Sequence, residues 1–501
     1  MPNRVRALLD RATGTPDAVA LVVGDTRFTF AQMASEAGIM AARLAAHGIK
    51  AGSHVGILHP ASADFIIVQQ ALFWLGAIVT PINILYKPAE IRHAVACCRL
   101  DYLATSPQYG DALGTIEDCI VLATDGLKGD LSDQARFVPP PVAELQEADP
   151  AMLLLTSATT GKAKGVILTV GNLSANYDAT PAWLGLGPDT VILCALPLYN
   201  TFGLNQCINA MLVTGCRMVL LPRFDAEKVI AKIAEHGCTF LPAVPTMLQK
   251  LLDHPAASEG TLGSLRTIMT GGAPVPSALL QRLLRVAPRV KVLTGYGLTE
   301  ATALVTLTHV ELDGEGGLKR GRTIGRVLHG MELAIVDEEG GELAAGADGE
   351  IVIRGPNVTP GYFEAPEDTT MALRGGWLRT GDIGHVDEDG YAYIVDRKKD
   401  VIIRGGQNIY PADVEEVLYQ VPGVAEAAVV AAGDEILGEV PIAYVALSVG
   451  SRITADRILE CCRASLASYK VPTEIHLREE LPKGPTGKIL RRALRTPSAL
   501  A

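Results

Sequence analysis

The chain has 501 residues and a formal net charge of −11, room for roughly two to four domains with sizeable cores. Its acidic balance excludes nucleic acid as a main partner, since basic residues concentrate only in Arg397–Arg404 and Lys483–Arg495. No signal-peptide core opens the chain, its most apolar window (Phe65–Val79) is broken by Gln69 and Gln70, and its nine cysteines contain no C-x-x-C, so a cytoplasmic protein with free thiols and no membrane span is expected.

Near the start, ALVVGDTRFTFAQM predicts a hairpin around Gly24 and Asp25 that runs into a helix. Thr29 and Gln32 have capping-box spacing, and Met33, Ala37, Met40 and Leu44 share one helical face. The Phe65–Val79 window reads as a buried helix stopped by Gly76. Helices and short aliphatic strands (VILCAL, RMVLL, CTFLPAV, VKVLTGYG) then alternate to about residue 310, which predicts parallel sheets covered by helices on both faces. From Gly325, MELAIVDEEG and GEIVIRG predict a small antiparallel β unit. After the basic link RKKDVIIRGG the last hundred residues return to α/β, with a helix carrying Val414, Val417, Leu418 and Val421. The expected fold is α/β: a large N-terminal domain over 1–395 and a small C-terminal domain over 401–501, joined over 396–400 by a link that the family resemblance given below makes a hinge and the small domain mobile.

Polar loops should lie at the strand C-terminal ends. The first is LLLTSATTGKAKGV, Leu153 to Val166. Ser157, Thr159 and Thr160 offer hydroxyls, Gly161 and Gly165 let backbone N–H groups approach a ligand, and Lys162 and Lys164 add charge, a description that phosphate fits. It is not an ordinary P-loop: aligning G-K on Gly161 and Lys162 leaves Thr156 where the first Gly belongs and Ala163 where Ser or Thr should bind metal. The second is TGYGLTE, Thr294 to Glu300. Tyr296 can stack on a purine, Gly297 lets a nucleotide approach the backbone, and Glu300 can hold a hard cation such as Mg²⁺. GGAPVP, GGWLRTGDIGHVDEDGY and LPKGPTGKILRR follow. In the second of these, Asp387, Glu388 and Asp389 read as a solvated turn.

These stretches, in this order from 153 to 488, resemble the acyl-adenylate-forming enzymes, the family of acyl-CoA synthetases, adenylation domains and firefly-type luciferases. The resemblance implies ATP-dependent activation of a small-molecule carboxylic acid to an acyl-adenylate, followed by transfer to coenzyme A, with ATP, AMP, Mg²⁺ and CoA bound in turn. It implies Lys488, Glu300 and Thr299 as catalytic residues, with Glu300 on the metal. The 157–164 loop would hold pyrophosphate, Gly272, Ala273 and Pro274 the adenine, and Asp382 and Arg397 the ribose. Lys399 would be the hinge, Gly405 and Gly406 would flank the thiol arm, and Tyr199, Asn200, Gly203, Leu204, Val244, Gly271 and Ala301 would line an acyl pocket without charge.

Three departures stand out: Ala158 for a family Gly, Ala163 for a family Pro, and Asn200 where His is common. They motivate an alternative, an enzyme that adenylates weakly and mainly turns a preformed acyl-adenylate into a thioester. A luciferase-type oxygenase and a non-catalytic acyl- or nucleotide-binding protein are more remote alternatives. The macromolecular partner left open is a second copy of the chain, in a homodimer.

Overall fold

A computed structural model describes residues 3–113, 116–124, 138–156, 163–397, 400–405, 407–434, 436–448, 450–484 and 489–495. Val19–Val23 pairs antiparallel with Thr26–Thr29 across Gly24, whose φ of +58° suits a residue without a Cβ. The Thr29 hydroxyl accepts from Gln32 N at 3.2 Å while the Gln32 side chain accepts from Thr29 N at 2.8 Å. This reciprocal cap starts helix Phe30–Ala46, which buries Met33, Ala37, Met40 and Leu44. Helix Ala63–Leu75 is apolar nearly all round and buried; Ser62 caps it and left-handed Gly76 ends it.

Two sheets carry the large part of the molecule. The six-stranded one runs Ile120–Ala123, Tyr102–Thr105, His54–Leu58, Ile78–Pro81, Pro150–Leu155 and Gly165–Thr169, parallel except for the last strand. The fourteen-stranded one has a parallel half: Lys291–Thr294, Thr267–Thr270, Phe240–Ala243, Val191–Cys194, Arg217–Leu220 and Val19–Val23. From Lys291–Thr294 it continues antiparallel through Thr306–His309, Thr323–Val327, Ala392–Arg397, Trp377–Val386, Gly349–Arg354 and Glu332–Val336. The β unit expected after Gly325 is thus present but not separate. Thr306–His309 pairs on both sides and welds it to the parallel half.

A smaller C-terminal domain follows. Its five-stranded sheet is built on the long hairpin Val424–Asp434/Gly438–Leu447. Helix Pro411–Gln420 buries Val414 and Leu418 against it, with Val429, Val445 and Ile458 in the same core. Among the described residues no helix is long and apolar enough to cross a membrane. All nine cysteines are free thiols.

Candidate active site

Strand Lys291–Thr294 ends in the TGYGLTE turn, and the chain then folds back over it. Val305 N and Thr306 N both donate to the Tyr296 carbonyl, at 2.8 and 3.1 Å. The return passes so close that a Cβ at Gly297 would overlap the Ala303 carbonyl oxygen, which is why glycine is required there. The Tyr296 hydroxyl donates to Asp382 Oδ2 at 2.5 Å, and Arg397 Nε lies 3.1 Å from Asp382 Oδ1. Burial first, and the Asp382 carboxylate next, push the Tyr296 phenol well up, so it stays a donor. Its ring is only half-buried. The hydroxyl is anchored on a carboxylate that is 3% exposed.

Glu300 lies in a short 3-10 turn, Thr299–Ala301. Tyr362 donates to its Oε1 at 2.9 Å, and the described residues supply no partner for Oε2. Residues that sequence reasoning missed hold this turn. Thr302 has φ +69°, an outlier for a β-branched residue, and its hydroxyl donates to the Asn357 carbonyl at 2.6 Å. The Asn357 side chain donates to Ala301 O at 2.9 Å. Fully buried Asn176 binds both backbone groups of Leu304, donating to its carbonyl at 2.7 Å and accepting from its N–H at 3.4 Å. Single asparagines inside helices and loops carry no periodic signal; a buried polar side chain becomes visible only with its partners.

Ser157, Thr159, Thr160, Gly161 and Lys162 lie outside the described residues, as does Ala158, but the flanks of their loop are defined. It joins antiparallel strands, with Thr156 N donating to Lys164 O at 3.0 Å, whereas a P-loop joins strand to helix. Ala163, standing where the family has Pro, is gripped through its carbonyl: His93 Nε2 and Cys97 Sγ both lie 3.2 Å from it. Lys164 pairs with Asp368 at 2.5 Å, and its ammonium lies 5.5 Å from the centre of the Tyr362 ring. Tyr362 therefore touches both Glu300 and Lys164. A cavity of about 520 Å³ opens beside Lys164 and Tyr362, lined also by Glu350, Asp368, Arg379 and Thr380 among others.

GGAPVP begins where strand Thr267–Thr270 ends. Gly272 has φ +78°, and a Cβ there would stand 3.8 Å from Val244 Cγ1 and 4.0 Å from Phe202 Cδ1; one at Gly271 would stand 3.1 Å from Gly295 O. Val244, Phe202 and the two glycines therefore converge, while Gly272 and Pro274 are exposed and Ala273 half-buried. Asn200 caps the turn of Thr201–Gly203 by accepting from Gly203 N at 3.1 Å, and a Cβ at Gly203 would overlap Pro197 O. Burial, then the neighbouring Tyr86, raises the Tyr199 phenol. Leu204 and Ala301 are buried in the core, at 2% and 0% exposure.

Lys399, Gly406 and Lys488 lie outside the described residues. Gly405 is exposed, with φ +56° and its N–H donating to Leu437 O at 2.7 Å. Asp396, 3% exposed, accepts from Arg397 N, Ala412 N and Arg491. Arg491 also reaches Asp400 at 3.2 Å and Glu415 at 2.7 Å. Asp387 accepts from Tyr391 N and Tyr393 and pairs with Arg320, the expected solvated turn. Among the described residues no group of three or more His, Cys, Asp or Glu could hold a metal. A Mg²⁺ carried on nucleotide phosphates needs fewer protein ligands, and Oε2 of Glu300, which has no partner among the described residues, suits it.

The model for AMP-binding enzymes matches residues 8–363, and that for the AMP-binding enzyme C-terminal domain matches 413–488. A 2-succinylbenzoate–CoA ligase of Bacillus cereus is 35% identical over 495 residues, covering 99% of this chain and 98% of its own. ATP-bound MatB from Rhodopseudomonas palustris superposes with a TM-score of 0.90 at 30% identity, over 99% of this chain and 98% of that one. Its apo form gives 0.81 at the same identity, over 98% of each chain. MenE from Bacillus subtilis, an o-succinylbenzoate CoA synthetase in complex with ATP and magnesium, gives 0.86 at 31% identity over 97% and 98%.

Proposed function

Because the chain belongs to the AMP-binding enzymes and carries that family's C-terminal domain, we propose that it is an acid–CoA ligase. It activates a carboxylic acid with ATP to an acyl-adenylate, releasing pyrophosphate, and passes the acyl group to the thiol of CoA, releasing AMP. The observation that carries this reading is the union of Tyr296, Asp382 and Arg397 in one cluster, with Glu300 four residues from Tyr296.

A carboxylate is a poor acyl donor because its leaving group would be oxide. Adenylation replaces that with AMP, but it brings two anions together, so charge compensation governs the rate. In this reading Tyr296 stacks on the adenine against Gly272, Ala273 and Pro274, and Asp382 accepts from the ribose hydroxyls while Arg397 steadies it. Thr299 faces the α-phosphate. The loop from Ser157 through Thr159, Thr160 and Gly161 to Lys164 takes the pyrophosphate, and Lys488 takes the reacting oxygens. Glu300, whose Oε1 accepts from Tyr362, would hold Mg²⁺, which would supply neutralising charge on the phosphates.

We assign the large domain to 1–395, the hinge to 396–400 around Lys399, and the C-terminal domain to 401–501. Thiol transfer needs Lys488 withdrawn and Gly405 and Gly406 brought in, which a rotation at Lys399 accomplishes. Both Lys488 and Glu300 are retained, and His93 and Cys97 hold the Ala163 carbonyl at the end of the loop. These features support a complete ligase over one confined to its second half. The acyl wall of Val244, Phe202, Gly271 and Gly272 is apolar, which supports an aryl, alicyclic or medium-chain acid. Nine free thiols support a cytoplasmic location.

The test is a panel of carboxylic acids scored separately for pyrophosphate release and CoA-thioester formation. At least one apolar acid should give both, in equal amounts when CoA is present. Absence of both across the panel would overturn the reading.

A further inference from the structure

Arg322 has φ +68°, backbone that L side chains rarely adopt. The side chain so placed crosses from the large sheet to the C-terminal domain, where its Nη1 donates to Asp413 Oδ1 at 2.8 Å. Asp413 stands in the first turn of helix Pro411–Gln420, a favourable place for a carboxylate. Its other oxygen accepts from Lys470 of its own domain at 2.9 Å. Burial alone would raise the Asp413 carboxyl, but the hydrogen bonds from Lys470 and Arg322 outweigh it and hold the group below its ordinary range. Asp413 is thus a fixed anion, preset by Lys470 and reached by Arg322 from the other domain.

In the arrangement this pair stabilises, the thiol-side turn stands away from the large domain. Gly405, Gln407 and Asn408 are exposed, Ile403 is 54% exposed and Ile436 is 91% exposed. The chain as a whole lies nearer the ATP-bound form of MatB than its apo form. The contacts of Arg491 and Ala412 N with Asp396 lie at the hinge segment and can turn with it, whereas Arg322 is far from the hinge in sequence.

We propose that Arg322 is a positioning residue that latches the C-terminal domain, through Asp413, in the orientation serving adenylation, and releases it for thiol transfer. The inference rests on the ligase reading and deepens it. A half-exposed ion pair is weak enough to open at each turnover, and salt weakens it further.

Arg322→Gly tests the latch, because glycine keeps the backbone without strain while removing the side chain. Both half-reactions are measured on the full chain: pyrophosphate release from ATP and acid without CoA, and thioester formation from supplied acyl-adenylate and CoA. Pyrophosphate release should fall roughly two- to fivefold, thioester formation should hold or rise, and Arg322→Lys should recover part of the loss. Rising ionic strength should tilt the wild type the same way and leave Arg322→Gly unmoved. An equal fall in both half-reactions, or no change in either, would overturn the latch alone. A wild type that performs neither half-reaction with any acid would overturn the ligase reading and the latch with it.

Discussion

At Gly297 one methyl group decides whether the turn proposed to hold the adenine can form. A Cβ there meets the Ala303 carbonyl rather than a flexible side chain, so the return strand must shift. Gly297→Ala should lower stability by about 1–3 kcal/mol and weaken ATP binding more than it changes the fold; thermal unfolding and nucleotide titration read the two. Tyr362 offers a finer probe. Tyr362→Phe keeps the ring under Lys164 and removes only the donor to Glu300. One such bond is worth about 0.5–1.5 kcal/mol, so the Mg²⁺ needed for half-maximal pyrophosphate release should rise roughly two- to tenfold. An unchanged Mg²⁺ requirement would remove Tyr362 from the metal's support. Cys97 is half-buried, and a hydrogen bond from Cys98, against the opposing effect of burial, lowers its thiol. Burial raises Cys119, Cys238 and Cys462 instead. Cys97 should therefore be alkylated ahead of Cys119, Cys238 and Cys462 at neutral pH, as peptide mass mapping would show. The added group would press on Ala163 and slow adenylation.

At the scale of elements, the chemistry was legible where residue types declare themselves. A glycine–tyrosine–glycine turn after an aliphatic strand, and a carboxylate at Glu300, suggest a nucleotide and a metal, and the family resemblance turns that suggestion into an expectation. Tyr362, Asn176 and Asn357 stayed hidden because their partners Glu300, Leu304 and Ala301 lie far away in sequence. Strand Thr306–His309 shows the same limit: its residues mark a strand, but not that it welds parallel and antiparallel halves. The charge cluster around Arg491 was likewise invisible. Arg491→Met would leave Asp396 and Glu415 buried without their cation, a loss of about 3–5 kcal/mol, seen as earlier urea unfolding of the C-terminal domain. Asp413 adds a pH signature. Its folded carboxyl is depressed, so its contribution is fully present above the unfolded value of about 4 and fades as pH falls through the lower folded value. Asp413→Asn should flatten the acid limb of the stability curve.

For the whole molecule, the claim is that one cleft runs two reactions by changing which face of the C-terminal domain meets it. Lys488→Ala should slow adenylation roughly 10²- to 10³-fold, the effect of losing one preorganised donor, while thioester formation from supplied acyl-adenylate survives. Lys399→Pro should impair the overall reaction by stiffening the turn between the two orientations. The most direct measurement follows the nucleotide itself. With ATP, Mg²⁺ and a productive acid but no CoA, the enzyme should yield pyrophosphate and hold an acyl-adenylate detectable by mass spectrometry; CoA should then convert it to thioester and AMP. Formation of ADP and phosphate, or of thioester without AMP, would contradict the account.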